Sequence, residues 1–170
     1  MNATRQPTIP MPSSTERDSD GRLVGLAIDC CQSLSAQNGN SWLLAVDGSE
    51  HSQRAAAEAV GLTCQMKDCT LHLVNVQHWL SKEAAESELK NRGWTATEQA
   101  RSLLDTAGKP WRLHVAMGDA AERIVALATR LGCRGIVIGS RGLGAAENLL
   151  VGSVAYKVIH LSPVSVLVVR

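Results

Sequence analysis

Four residues near the end of the chain have the types and the spacing to hold an anion: Gly139, Gly142, Gly152 and Ser153. They follow the apolar run 136–138, which is typical of a strand buried on both faces, and they precede apolar residues at helical spacing. Glycines let an anion approach backbone N–H groups, and a helix start adds the positive end of its dipole. The pattern is compatible with a phosphate site. The P-loop and Gly-x-Gly-x-x-Gly patterns are absent, so glycine count alone favours a plain strand–helix connection.

Two charged residues could complete such a site. Asp47 follows the apolar run 42–46, and a carboxylate at a strand end can accept hydrogen bonds from ribose hydroxyls or an adenine amine. Capping the following turn is an equally good role for this aspartate on position alone. Arg141 is the cation within the glycine-rich loop, and pairing with a phosphate or remaining solvated are comparable roles for it.

The spacing of the glycines then adds a family resemblance. Gly139-x-x-Gly142, nine further residues and Gly152-Ser153 resemble the nucleotide-binding signature of the universal stress protein family, in its ATP-binding branch. Residues 45–50 resemble the first strand and acidic tip of that family, and residues 164–169 resemble its last strand. The resemblance covers about residues 41–170.

This resemblance implies ATP bound between the tips of the first and fourth strands of the domain. The backbones of Ala45, Val46 and Val76 would lie beside the adenine, although the side chain of Val76 is read more simply as core. Asp47 would act as ligand to the ribose or the base. The phosphates would be lined or bound by Gly139, Arg141, Gly142, Gly152, Ser153 and Val154. Mg²⁺ is expected only as a companion of the triphosphate, because no dedicated protein ligand for it is visible.

The order of elements predicts the fold class. Five strands alternate with four helices, which predicts a doubly wound, Rossmann-like α/β domain with a parallel sheet and helices on both faces. The resemblance implies the strand order 3-2-1-4-5 and a homodimer formed by antiparallel pairing of the last strands; an edge protected by the N-terminal segment is the alternative. The predicted strands are 42–46, 70–76, 111–117, 136–138 and 165–169, and the helices are 50–65, 82–106 with an interruption at Gly93, one from 119, and one from 153. Asp119 and Glu122 have the spacing of a capping box at the start of the third helix. The inner face of the first helix is predicted to consist of Ala55, Ala56, Ala59, Val60 and Thr63.

Residues 1–40 have a different composition from the rest. They are rich in Pro, Ser, Thr, Asn and Gln, which predicts a flexible leader with a short helix or docked segment at 23–34. Residues 41–170 are predicted to form the nucleotide-binding domain.

Bulk composition narrows the function classes. The chain has 170 residues, enough for one domain, and its 17 basic and 16 acidic residues form no basic run, so nucleic acid is not an expected partner. No stretch approaches membrane-spanning length, and the five cysteines, odd in number and without a Cys-x-x-Cys pair, favour a reducing cytoplasm. The neighbours Cys30 and Cys31 could oxidise, but the favoured interpretation is that both thiols are incidental, with no chemical role.

The remaining polar residues predict neither a catalytic nor a metal site. His72 and His114 lie within strand patterns and are interpreted as interior or edge histidines, and no histidine has metal-ligand spacing to a cysteine or carboxylate. Three hypotheses follow: an ATP-binding regulatory protein, a slow ATPase or phosphotransferase, and a nucleotide-free dimeric interaction module. The second lacks a P-loop lysine and an evident base, and the third would usually lack the Gly-Ser step that this chain retains.

Overall fold

The computed structural model describes residues 9–31, 40–144 and 150–170. The described elements, in chain order, are β1 Ser14–Arg17, β2 Leu23–Asp29, β3 Ser41–Ala45, α1 Glu50–Cys64, β4 Thr70–Gln77, α2 Lys82–Ala96, α3 Glu98–Thr106, β5 Trp111–Met117, α4 Ala120–Arg130, β6 Gly135–Gly139, α5 Ser153–Leu161 and β7 Ser165–Val169. None of the helices in these ranges is long and apolar enough to cross a bilayer.

The strands form one sheet in the order β1-β2-β5-β4-β3-β6-β7. Five neighbouring strands, β5-β4-β3-β6-β7 in sheet order, are parallel. When these five are numbered along the chain, their order is the predicted 3-2-1-4-5. The predicted α/β class is therefore confirmed. β3 pairs with β4 on one side and with β6 on the other, so the strand order reverses there. In open α/β sheets a crevice lies at such a reversal, and we refer to the space between the tips of β3 and β6 as the crevice.

The N-terminal segment corrects two predictions. Between residues 14 and 29 the chain is a β-hairpin, not a flexible leader. Of the two alternatives for 23–34, the helix is wrong and the docked segment is closer, because β2 docks as a strand; the described residues form a sheet of seven strands instead of five. β2 pairs antiparallel with β5, and its side chains Val24, Leu26 and Ile28 enter the main core. This burial and pairing depend on a strand more than 80 residues away, which local composition does not reveal.

Helices cover both faces of the sheet. One core contains alanines and leucines of α1, α2 and α3 packed on the strands, and the other contains apolar residues of α4 and α5. On the predicted inner face of α1, Val60 is half-buried and the other four residues are buried: Ala55, Ala56, Ala59 and Thr63. α4 begins as its capping pattern predicts, with the Asp119 carboxylate accepting a hydrogen bond from the N–H of Glu122 at 3.0 Å.

The segment predicted as one helix over 82–106 is two helices that meet at Thr97, so the predicted interruption at Gly93 is wrong. The Thr97 hydroxyl donates to the carbonyl of Gly93 at 2.8 Å, and the Arg101 guanidinium lies 3.4 Å from the ring centroid of Trp94. Gly93 has a packing role instead, because a Cβ there would lie 2.4 Å from a methyl group of Val115 on β5.

Two histidines form a pair on the α4 side of the sheet, with His72 buried and His114 half-buried. His72 Nδ1 lies 3.2 Å from His114 Nε2, next to the Arg112–Asp29 ion pair on β5 and β2 and to Arg130 of α4. Burial lowers the pKa of His72 to about 4, and burial with the charges of His72 and Arg112 lowers the pKa of His114 to about 3. The pair is therefore neutral at pH 7, with one ring donating to the other.

The glycine contact on α2 gives a matched test. Gly93→Ala is expected to lower the free energy of unfolding by about 1–3 kcal/mol, because the new methyl group overlaps the buried Val115. Gly61→Ala on α1 meets no atom within 4 Å and is expected to raise it by about 0.5–1 kcal/mol through helix propensity. Urea unfolding measures both. Equal changes in the two variants would contradict the packing role of Gly93.

The histidine pair predicts a pH dependence. Because the folded pKa values lie below the ordinary value of 6.5, the unfolded chain binds more protons below pH 6.5, and stability falls as the pH drops from about 6.5 toward about 3. Between pH 7 and pH 4, the His114→Gln variant should lose about 1–3 kcal/mol less of its unfolding free energy than the unchanged protein does. Urea unfolding at each pH measures this, with His160→Gln, an exposed histidine on α5, as the control. The same pH slope in both variants would contradict this account.

Candidate functional site

The Asp47 carboxylate connects the two sides of the crevice between β3 and β6. Its Oδ2 accepts a hydrogen bond at 3.1 Å from the N–H of Leu143, 96 residues further along the chain. Its Oδ1 accepts one at 2.9 Å from the N–H of Ser49. The structure thus brings Asp47 and the glycine-rich loop together, and the aspartate also has the turn-capping role that its position allowed.

Two glycines of the motif lie where a side chain would collide with the protein itself. A Cβ at Gly139 would lie 2.7 Å from the backbone carbon of His51 on α1, and a Cβ at Gly142 would lie 2.5 Å from Asp47 Oδ2. Both distances are shorter than real Cβ contacts. These glycines therefore let β6 approach α1 and let the loop close onto Asp47, before any ligand is considered.

The start of α5, like that of α3, lacks a side-chain cap. α1, α2 and α4 are capped by the side chains of Ser49, Ser81 and Asp119, whereas the N-cap of α5 is Gly152, which has no side chain for the purpose. The N–H of Gly152 donates to the carbonyl of Ser140 at 2.7 Å and is already engaged. Ser153 and Val154 are exposed in the first turn, where N–H groups lack partners within the helix.

The backbone groups of Val46, predicted to lie beside an adenine, have partners inside the sheet. Its N–H donates to the carbonyl of Val74 at 2.9 Å, and its carbonyl accepts from the side-chain amide of Asn75 at 2.8 Å. Ala45 pairs in register with Val74 on β4, and Val76 packs against the core on the α4 side, as its apolar side chain suggested.

Asn75 is a site residue that the sequence analysis missed. It is 1% exposed, and its Oδ1 accepts a hydrogen bond at 2.6 Å from the side-chain amide of Gln77. It fixes the tip of β3 to β4 through the carbonyl of Val46. An asparagine within a run of β-formers, where its polar side chain needs a partner, was the signal that could have identified it.

Ser140 and His51 form a second pair that the motif did not indicate. The Ser140 hydroxyl lies 3.3 Å from His51 Nδ1, and Ser140 is 1% exposed. The N–H of Ser140 donates to the carbonyl of Val169 at 2.6 Å, which joins the loop to β7. The start of the loop is therefore joined to β7 by a backbone hydrogen bond and to α1 by a side-chain contact.

The predicted cation Arg141 is half-buried at the start of the loop. The pKa of the Glu50 carboxyl is lowered chiefly by its hydrogen bond with Arg54, and the charge of Arg141 contributes to the same shift. Arg141 is therefore near the N-terminus of α1. Residues 145–149 of the predicted loop lie outside the described residues.

A cavity among the described residues lies away from this crevice. It measures about 420 Å³ and lies between the N-terminal hairpin and α4, lined by Glu16, His114, Arg123 and Arg130 among others. In the described ranges, no three His, Cys, Asp or Glu side chains converge closely enough to hold a metal ion.

Comparisons with known proteins identify the family of this chain. The model of the universal stress protein family matches residues 41–170. A Thermus aquaticus relative, the universal stress protein in the QAH/OAS sulfhydrylase 3′ region, is 35% identical over 133 residues, covering 75% of this chain and 96% of the relative.

Two solved structures share the fold. One is a universal stress protein in complex with cAMP, with a TM-score of 0.62 and 24% identity, covering 77% of this chain and 97% of that one. The other is the universal stress protein from Archaeoglobus fulgidus in complex with dAMP, with a TM-score of 0.61 and 20% identity, covering 76% and 97%. Given the family match over residues 41–170 and the relative from Thermus aquaticus, this chain belongs to the universal stress protein family.

Proposed function

We propose that this chain is an ATP-binding regulatory protein of the stress response, with the nucleotide bound between the tips of β3 and β6. The observation that carries the proposal is the hydrogen bond from the N–H of Leu143 to Asp47, which holds the glycine-rich loop across the crevice. The exposed first turn of α5 follows the same loop. The proposal includes a cytoplasmic location, in line with the cysteine content.

The first turn of α5 supplies the chemistry for a phosphate. The N–H groups of Ser153 and Val154 lie at the positive end of the helix dipole, and no side chain at the N-cap competes for them. The Ser153 hydroxyl adds a donor, and Arg141 adds a positive charge near the loop. Mg²⁺ enters the proposal only as a companion of the triphosphate, which titrations with and without the ion test.

An adenine nucleoside suits the other side of the crevice. Two donors already occupy part of the Asp47 carboxylate, and its remaining lone pairs can accept hydrogen bonds from ribose hydroxyls or the adenine amine. The two structural neighbours described above were solved with cAMP and dAMP, which both contain an adenine and a phosphate. This agreement supports an adenine nucleotide; the choice of ATP rests on the loop motif.

The enzymatic alternative has one observation in its favour. Ser140 and His51 have the contact expected of a nucleophile and its base. However, Ser140 is 1% exposed, so its hydroxyl is not presented to a ligand in this arrangement. We therefore propose binding without rapid hydrolysis, and ADP instead of ATP recovered from the purified protein would favour the slow ATPase.

We further propose that β7 pairs antiparallel with the same strand of a second copy. β7 is at the end of the sheet, and Leu167 on it is 39% exposed. Nearby α5 exposes Tyr156, Ile159 and Leu161, an unusual amount of apolar surface for a free edge. The opposite edge is covered by the hairpin, so residues 9–31 do not protect β7.

The nucleotide site predicts different effects for two neighbouring glycines. Gly142→Ala should weaken ATP binding at least about tenfold, because its Cβ would lie 2.5 Å from Asp47 Oδ2 and displace the loop. Gly144→Ala, in the same loop, meets no atom within 4 Å and should bind ATP like the unchanged protein. Isothermal titration calorimetry measures both affinities, and thermal unfolding checks that both variants fold.

Mass spectrometry of the nucleotide released from the denatured, purified protein complements this comparison. ATP near one per chain is the expected result. Equal ATP affinity in the two glycine variants would refute the site. A folded dimer that neither contains nor takes up ATP would instead support the nucleotide-free interaction module.

Two substitutions that each introduce a carboxylate, one on β7 and one on α3, test the proposed dimer. Leu167→Glu should convert the dimer into a monomer in sedimentation velocity, because a carboxylate on an apolar strand interface is left unpaired. Leu103→Glu on α3, where the leucine is 40% exposed, should leave the dimer intact. A Leu167→Glu protein that remains dimeric would contradict the β7 interface.

A further inference from the structure

The structure brings together the two thiols that the sequence analysis treated as incidental. Cys30 and Cys31 follow β2, and their sulfur atoms are 3.4 Å apart. Adjacent residues of a strand point to opposite faces, so neighbouring side chains in extended chain do not meet. The thiols converge here because β2 ends at Asp29 and the chain bends at Cys30 and Cys31.

The Cys30 sulfur is held in place by the sheet. The N–H of Cys30 donates to the carbonyl of Trp111 at 3.1 Å, and the N–H of Trp111 donates back to Cys30 Sγ at 3.1 Å. Trp111 is 3% exposed and belongs to the main core, so this donor has a fixed position. An N–H that donates to sulfur is the kind of second contact that orients a thiolate ligand and stabilises its charge.

The second thiol, Cys31, makes the pair accessible to an ion from solvent. Cys31 is exposed, whereas Cys30 is half-buried, so an ion can approach from the Cys31 side and then bind both sulfurs. Burial raises the pKa of the Cys30 thiol, partly offset by the Trp111 N–H, so binding releases its proton.

We propose that Cys30 and Cys31 form a two-thiolate site for a soft, thiophilic metal or metalloid ion. Two metal–sulfur bonds of about 2.3 Å at a tetrahedral angle place the sulfurs about 3.8 Å apart, close to the separation already present. Thiolates are the ligands that such ions prefer. The site lies at the start of β5, the opposite end of the parallel strands from the β3–β6 crevice, and is independent of the nucleotide proposal.

The reaction with a trivalent arsenical is balanced without any oxidant. Hydrated phenylarsine oxide carries two hydroxyl groups on arsenic. Two S–H and two As–O bonds break, two As–S bonds form, and two water molecules leave with the thiol protons. Arsenic and sulfur keep their oxidation states, and the product is a ring closed through Cys30 and Cys31.

The test is a titration of the reduced, full-length protein with phenylarsine oxide. Intact mass spectrometry counts bound arsenic, and reaction with a thiol reagent counts the thiols that remain. The unchanged protein should bind one arsenical and lose two reactive thiols. Cys30→Ser and Cys31→Ser should each weaken binding about 100-fold or more, because the second thiol is no longer presented at short range.

Cys64→Ser is the matched control, since Cys64 is an exposed cysteine on α1. It should bind the arsenical like the unchanged protein, and circular dichroism should show all three variants folded. Tight binding that survives in Cys30→Ser or Cys31→Ser, or no binding by the unchanged protein, would overturn the proposal. ATP affinity should be the same in all of these proteins, so failure here is distinguishable from failure of the nucleotide site.

Discussion

The arrangement of the crevice depends on the carboxylate of Asp47, which binds the N–H of Ser49 with one oxygen and the N–H of Leu143 with the other. The first bond shapes the turn into α1, and the second fixes the glycine-rich loop to that turn. A carboxylate that accepts two backbone N–H groups is a strong, charge-assisted contact. It joins segments 96 residues apart at the point where the strand order reverses.

The edges of the sheet add a second constraint. A parallel sheet of five strands has two open edges, each a template for pairing with another chain. The N-terminal hairpin covers β5 and is tied to both helical layers, through the Arg17–Glu86 ion pair to α2 and the Glu16–Arg130 ion pair to α4. These pairs are exposed and contribute little stability, but they orient the hairpin. The hairpin adds an edge strand of its own, β1, whose side chains are exposed, so the open edges of the described sheet are β1 and β7.

Local signals predicted more of this structure than non-local ones. Buried apolar runs and the Asp119 cap predicted the parallel strands and α4, because these depend on residues close in sequence. The hairpin was missed because β2 gains its stability from β5. The helix break lies at Thr97 and not at Gly93. The glycine is needed at 93 because Val115 packs closely against it, and Val115 lies on another element, so the local sequence does not reveal this role. Within the site, the contact of Asp47 with the loop could be predicted from the strand order. The hydrogen-bond partner of the Val46 carbonyl could not be predicted, because that partner, Asn75, lies on a neighbouring strand.

The contacts within the crevice also determine how a nucleotide would be recognised under the proposed function. Both backbone groups of Val46 and the N–H of Gly152 are already bonded inside the protein, and Gly139 and Gly142 are required by packing. Under that proposal, recognition depends on the spare lone pairs of Asp47 and on the first turn of α5 with Ser153. The described part of the loop, residues 140–144, is therefore held by these contacts before a ligand arrives, which lowers the ordering cost of binding. Since the groups left for binding are mostly backbone and charge, they favour a phosphorylated ligand over an apolar one.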